Sequence, residues 1–163
     1  MLAAAGLMLS SGIAAAQSSV DASKLKAASA NEAGAVDITA DKMELQQDKK
    51  RAIFTGNVDA VRGNVRLKSQ SLVIDYDEVK KGDTSERQFK TLQADGKVVV
   101  TSKGQVINSD WAKMDIGANK IVMGGNVVVT QGATVLRGTQ LNIDLNTGQS
   151  QLSGGRVRGR FVP

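Results

Sequence analysis

The chain has 163 residues, 41% hydrophobic, 3% aromatic and 23% charged, which suits one domain with a buried core and excludes wholesale disorder. It has no histidine and no cysteine, so Ser-His-Asp and Cys-His catalysis, thiol- or imidazole-based zinc sites and disulfides are excluded. A net charge of +5 is compatible with nucleic acid, anionic lipid or phosphorylated glycolipid, but five scattered aromatics (Phe54, Tyr76, Phe89, Trp111, Phe161) are poor material for stacking on bases.

Residues 1–16 (MLAAAGLMLSSGIAAA) carry no charge and end in small residues at Ala14 and Ala16. They predict a cleaved signal peptide, too short for a membrane-spanning helix. No Lys or Arg precedes the apolar run, so the start of translation is expected upstream of Met1. Residues 17–35 are small and polar without a sustained period and predict a flexible lead-in.

The segment 36–163 reads as one β-domain built on an internal repeat. ITADKMEL (38–45), LKSQSLVI (67–74), INSDWAKM (107–114) and LRGTQLNI (136–143) share apolar residues at their first, sixth and eighth positions. Their starts are separated by 29, 40 and 29 residues. Interleaved with them, G-x-V occurs at Gly56, Gly96, Gly125 and Gly155, in steps of 40, 29 and 30. One unit of about 29 residues thus recurs with a single insertion, and the charged stretch 78–87 (EVKKGDTSER) predicts that insertion as a surface loop.

Alternating Val, Ile and Thr argue for strands, either four short or two long ones per unit. The step from position one to position six is odd, so a period-two element needs a bulge or bend between them, at Asp41, Gln70, Asp110 and Thr139. Turn residues at 47–49, 117–119 and 146–148 mark reversals. The predicted interior is almost wholly aliphatic and runs from Val36, Ile38, Met43 and Leu45 through Leu72, Ile74, Ile107 and Met123 to Leu145. Such an interior suits alkyl chains, and a simply packed β-core is the plainer reading of it. Arg156, Arg158 and Arg160 alternate and so share a face, with phosphate contact, an acidic partner or protection against aggregation as their readings. No metal site, catalytic constellation or cofactor is expected. The carboxylate pair Asp75 and Asp144 is the strongest enzymatic candidate, and it lacks a sugar platform.

I-T-A-D (38–41), F-T-G-N-V (54–58), R-G-N-V-R-L-K-S-Q-S-L (62–72), G-G-N-V-V-V-T-Q-G (124–132) and L-N-I-D (141–144) make the stretch Val36 to Leu152 resemble the OstA-like family of periplasmic lipopolysaccharide-transport proteins. The resemblance implies an all-β, V-shaped, partly open antiparallel β-jelly roll whose hydrophobic groove holds acyl chains. It implies a bridge that carries lipopolysaccharide, through its lipid A moiety, between inner and outer membranes, without chemistry of its own. It further implies end-to-end self-association and two partners, an inner-membrane-anchored LptC-like protein and an outer-membrane LptD-like translocon. Lipid-contacting positions map to Val36, Ile38, Tyr76, Phe89, Met114 and Ile116, each with core packing as its alternative. The docking edges are expected around Val36–Leu45 and Gly155–Phe161, with Val36, Ile38, Val157 and Phe161 on them. A structural β-solenoid scaffold without lipid cargo is the alternative to the whole reading.

Overall fold

The computed structural model describes residues 35–162; the predicted signal peptide and all but the last residue of the lead-in lie outside them. The described chain is one antiparallel sheet of ten strands. They are β1 (Asp37–Thr39), β2 (Lys42–Gln46), β3 (Arg51–Arg62), β4 (Val65–Lys81), β5 (Thr84–Ser102), β6 (Gln105–Asp115), β7 (Lys120–Gln131), β8 (Thr134–Asp144), β9 (Gln149–Ser153) and β10 (Arg158–Arg160). β3 to β8 follow one another in a meander. β1 and β2 both pair with β3 at one edge, and β9 and β10 both pair with β8 at the other.

Each 29-residue unit is therefore two long strands, and each long strand is bent where the sequence pattern takes its odd step. In β4, Val65 and Ser69 are buried before the step, and Leu72, Ile74 and Tyr76 after it. Without the extra residue at Gln70, Leu72 would point to solvent. The neighbouring strand absorbs the mismatch with two residues against one: Thr55 pairs with Ser71 and Val58 with Ser69, leaving Gly56 and Asn57 opposite Gln70. Both are left-handed, φ +83° and +46°, a conformation that Gly and Asn tolerate best. The same shift recurs opposite Asp110 and opposite Thr139. At Asp41 the edge strand itself breaks into β1 and β2, and the Asp41 N–H bonds to the Gly56 carbonyl at 2.9 Å.

This geometry corrects the fourth unit. The residues at the last bend are Gly154 and Gly155, φ +90° and +62°, and a Cβ on Gly154 would collide with Thr139. The bend glycines thus fall at 56, 96, 125 and 154, in steps of 40, 29 and 29. The match at Gly155-Arg156-Val157 is one residue out of phase, and Val157 is half exposed.

At the bend line the sheet folds over itself into a V. Ala60, Val65, Leu67 and Val100 from one half, and Leu72, Leu92, Ala94, Met114 and Ile121 from the other, line the same interior space. A single aliphatic cluster results, with Leu72, Val98, Ile107, Met123 and Leu141 fully inaccessible. Two interior expectations fail. Met43 is 59% exposed and Leu45 37%, because β2 is an edge strand with a neighbour on one side only.

The insertion is also not a loop. Residues 76–90 extend β4 and β5 as a hairpin, in register from Tyr76–Phe89 to Lys81–Thr84. Its charged residues sit on strands, where Lys81–Glu86 and Lys90–Asp77 ion pairs form at 2.8 and 3.2 Å. Charge alone marked the segment as exposed, which it is, while backbone pairing between β4 and β5 makes it strand.

Candidate functional site

The space between the two halves is an apolar cavity. Four of the six predicted lipid-contacting residues line it: Val36, Phe89, Met114 and Ile116. Among the described residues, the charged side chains on its wall are Arg62 and Lys113. Phe89 reaches it from the stem of the hairpin and is 38% exposed, whereas Met114 and Ile116 are buried at 8% and 6%.

Ile38 and Tyr76 are elsewhere. Ile38 packs against the core from the edge strand β1. Tyr76 is buried just beyond the last β3–β4 pair, Arg51–Asp75, where β4 runs on into the hairpin. Its N–H donates to the Lys50 carbonyl at 3.0 Å, as Ile116 N–H does to Lys90 and Leu145 N–H to Asn119, both at 2.9 Å. These three buried residues are equivalent positions in successive units. The Arg87 guanidinium lies 5.3 Å from the centre of the Tyr76 ring, and the phenol oxygen is buried without a hydrogen-bond partner.

Small residues make the cavity. Ala94 and Ala112 face each other across β5 and β6, both buried, and Ala60 closes in from the opposite half. Ala94 and Ala112 were not legible as lining because alanine gives only a weak hydrophobic signal. The phase of Leu92 and Ala94 with Val98 across Gly96 was the available clue. The cavity measures about 100 Å³, less than the roughly 150 Å³ engineered cavity that accommodates one benzene. The groove in this state is narrow, and a long acyl chain requires its two walls to part. A larger depression, about 940 Å³, lies at β7–β9, where Ile121, Val122 and Ile143 are mixed with Lys120, Asn142, Asp144 and Gln149. Its wall is more polar than that of the cavity between the two halves.

The carboxylate pair does not form a catalytic site. Asp75 and Asp144 lie on one row of the sheet with Thr91, Asp115 and Lys120 between them. Four strand spacings put them about 19 Å apart, beyond the separation of paired glycosidase carboxylates. Each has structural work. Asp75 accepts from Arg51 Nε at 2.6 Å, Arg51 Nη2 at 3.2 Å and Thr91 Oγ1 at 3.1 Å, tying β3, β4 and β5 together. The Arg51 hydrogen bonds hold its carboxyl below the usual carboxylate range, against an opposing push from partial burial. Asp144 caps the following turn, accepting from the N–H groups of Asn146 and Thr147.

Residues 37–149 match the family model described as LptA/(LptD N-terminal domain) LPS transport protein. The chain belongs to this family. It is a family of transport proteins rather than of enzymes, and its breadth covers the sequence from the first strand to the start of the ninth. The chain is 30% identical over 166 residues to the uncharacterized protein R00383 of Rhizobium meliloti, covering 99% of this chain and 89% of that protein. It is 34% identical over 71 residues to the LPS-assembly protein LptD of Neisseria gonorrhoeae, a match of 42% of this chain to 9% of that one. In fold it is similar to LptH of Pseudomonas aeruginosa, the LptA homologous periplasmic component of a lipopolysaccharide transport device. The TM-score is 0.66 at 15% identity, covering 79% of this chain and 96% of that one. The all-β, open, V-shaped fold expected of an OstA-like chain is the fold observed, and the chain is LptA-like.

Proposed function

We propose that this chain works in the periplasm as a carrier of lipopolysaccharide between the two membranes, holding acyl chains between the halves of its bent sheet. The observation that carries the reading is the aliphatic cavity between Ala60, Ala94, Ala112, Met114 and Phe89, in a member of a lipopolysaccharide-transport family. Each methylene moved from water into such a wall gains about 0.8 kcal/mol. A wall that is apolar apart from Arg62 and Lys113 solvates a sliding chain nearly equally along most of its length. Cargo enters by parting the halves about the bend line, and the sugars and phosphates remain in water.

The two free edges are the docking surfaces of this reading. Of the seven exposed large apolar residues among the described residues, five lie there: Met43 and Leu45 at one edge, Val157, Phe161 and Val162 at the other. Unpaired edge strands are templates for strand addition. They serve end-to-end self-association and contact with an LptC-like partner anchored in the inner membrane and an LptD-like translocon in the outer one.

The narrowness of the cavity is the observation on the side of a purely structural scaffold, and a binding assay separates the two. Purified protein is expected to bind lipopolysaccharide. Phe89→Asp places a charge on the exposed part of the wall, and Ala112→Leu fills the floor without adding charge. Both are expected to lose most of that binding while keeping the β-sheet circular dichroism spectrum. Undiminished binding in both folded variants would remove the groove from the proposal.

A further inference from the structure

The two edges carry opposite charge. The first, residues 37–46, has Asp37, Asp41 and Glu44 against Lys42, a net of −2. The second, residues 149–162, has Arg156, Arg158 and Arg160 and no acid, a net of +3. Arg158 is placed directly opposite a further arginine, Arg137. Like charges directly opposed on neighbouring strands destabilise one another. Among the described residues, none of these four exposed arginines has an ion-pair partner.

The register of the sheet says where a second copy would place its charges. Ile38, Ala60, Leu67, Val100, Ile107, Val129, Leu136 and Gly159 form one continuous row from edge to edge. β1 and β10 therefore belong to the same half of the V. Their flanking residues, Asp37 and Thr39 on β1, Arg158 and Arg160 on β10, point to the outer face, away from buried Ala60 and Leu136. They also run in opposite directions, since β1 enters the bend and β10 leaves it. Extending the row into a next copy sets Gly159 beside Ile38, continues the antiparallel alternation and keeps the cavity aligned. Arg160 then lies opposite Asp37 and Arg158 opposite Thr39, with Arg156 and Asp41 just beyond the ends of the two strands.

We propose that these opposed rows, Arg156–Arg158–Arg160 on one copy and Asp37–Asp41 on the next, fix the polarity and register of assembly between copies of this chain. The inference rests on the docking edges of the preceding reading and adds what selects among the ways they can meet. Meeting of two arginine edges brings +3 against +3, and meeting of two acidic edges −2 against −2, so the symmetric arrangements are disfavoured. Only the head-to-tail arrangement is attractive, and it propagates instead of closing on a dimer.

Charge reversal tests this with sedimentation velocity on the purified protein. Association of the unmodified chain is expected to weaken several-fold between about 50 and 500 mM salt, because exposed pairs are screened. The triple variant Arg156→Glu, Arg158→Glu, Arg160→Glu has two acidic edges, and Asp37→Lys, Asp41→Lys has two basic ones. Each alone is expected to lose at least tenfold in association, and an equimolar mixture to recover it, since every junction then pairs unlike rows. Asp41 also braces the bend, so Asp37→Lys mixed with Arg160→Glu provides a second pair that leaves the bend intact. Either variant associating alone as the unmodified chain does, or folded mixtures remaining monomeric, would overturn the pairing. Lipopolysaccharide binding measured on the same samples separates this failure from failure of the groove, because monomers keep their cavity.

Discussion

Asn57 donates its Nδ2 to Asp41 Oδ2 across the bend at 2.9 Å, and 69 residues later Asn126 does the same to Asp110 at 3.2 Å. In both places the asparagine is the second left-handed residue of the bulge, and the aspartate is on the strand that takes the odd step. The bend is thus a repeated device with its own residue chemistry: a glycine pressed against the facing side chain, then a residue that both tolerates positive φ and supplies a donor.

Substitution at that glycine is expected to be costly. Gly125→Ala would press a Cβ into Asp110 at φ +69°, combining collision with backbone strain, for a loss of about 2 kcal/mol or more. Gly104→Ala, at φ +79° with open space around it, is expected to lose only about 1 kcal/mol from strain. Urea unfolding of the two variants checks the difference.

The unpartnered phenol of Tyr76 is expected to be dispensable. Tyr76→Phe removes a buried oxygen with no hydrogen bond while keeping the ring under Arg87, so stability should be unchanged or higher by about 1 kcal/mol. A clear drop in the thermal midpoint would mean that the hydroxyl has a partner.

Asp75 predicts an acid-sensitive latch. Its folded pKa lies below the ordinary value of 3.8, first through the hydrogen bonds from Arg51. A depressed carboxyl contributes stability that is fully present above its unfolded pKa and lost as pH falls through the folded one. Asp75→Asn should therefore be less stable than the unmodified chain at neutral pH, with the gap closing below about pH 4. Thermal unfolding across pH 2–7 measures it.

Burial separates two apolar residues that the repeat pattern treats alike. Leu72→Ala empties a fully inaccessible site and is expected to cost about 3 kcal/mol. Met43, at the sixth position of the same pattern but on the edge strand, should tolerate Ala within about 0.5 kcal/mol as a monomer. Denaturant unfolding at low protein concentration gives both values.

The strand character, the repeat and the bends at Gln70, Asp110 and Thr139 were legible because parity is a local property: an odd step between two apolar residues on one strand leaves no other way to keep both inside. The aliphatic stock of the interior was legible for the same reason. Four lining residues, Val36, Phe89, Met114 and Ile116, came from the family resemblance. Ile38 and Tyr76 came with them and lie outside the cavity, since equivalent positions of a repeat, such as Tyr76 and Ile116, can face different surroundings in successive units. The hairpin at 76–90 was hidden by its charge, which describes solvent exposure and says nothing about backbone pairing.

From its residues alone the chain determined an all-β repeat with bends at fixed positions, because alternation and glycine placement act over a few residues. Only the tertiary structure decided which apolar residues are covered, since Met43 and Leu72 hold the same position of the repeat and have one and two neighbouring strands respectively. It also decided that a narrow cavity lies behind three alanines, and that Asp37 and Arg160, on opposite edges of the sheet, share one row. Those relations depend on how strands stack and how the sheet folds over, and no local spacing encodes them.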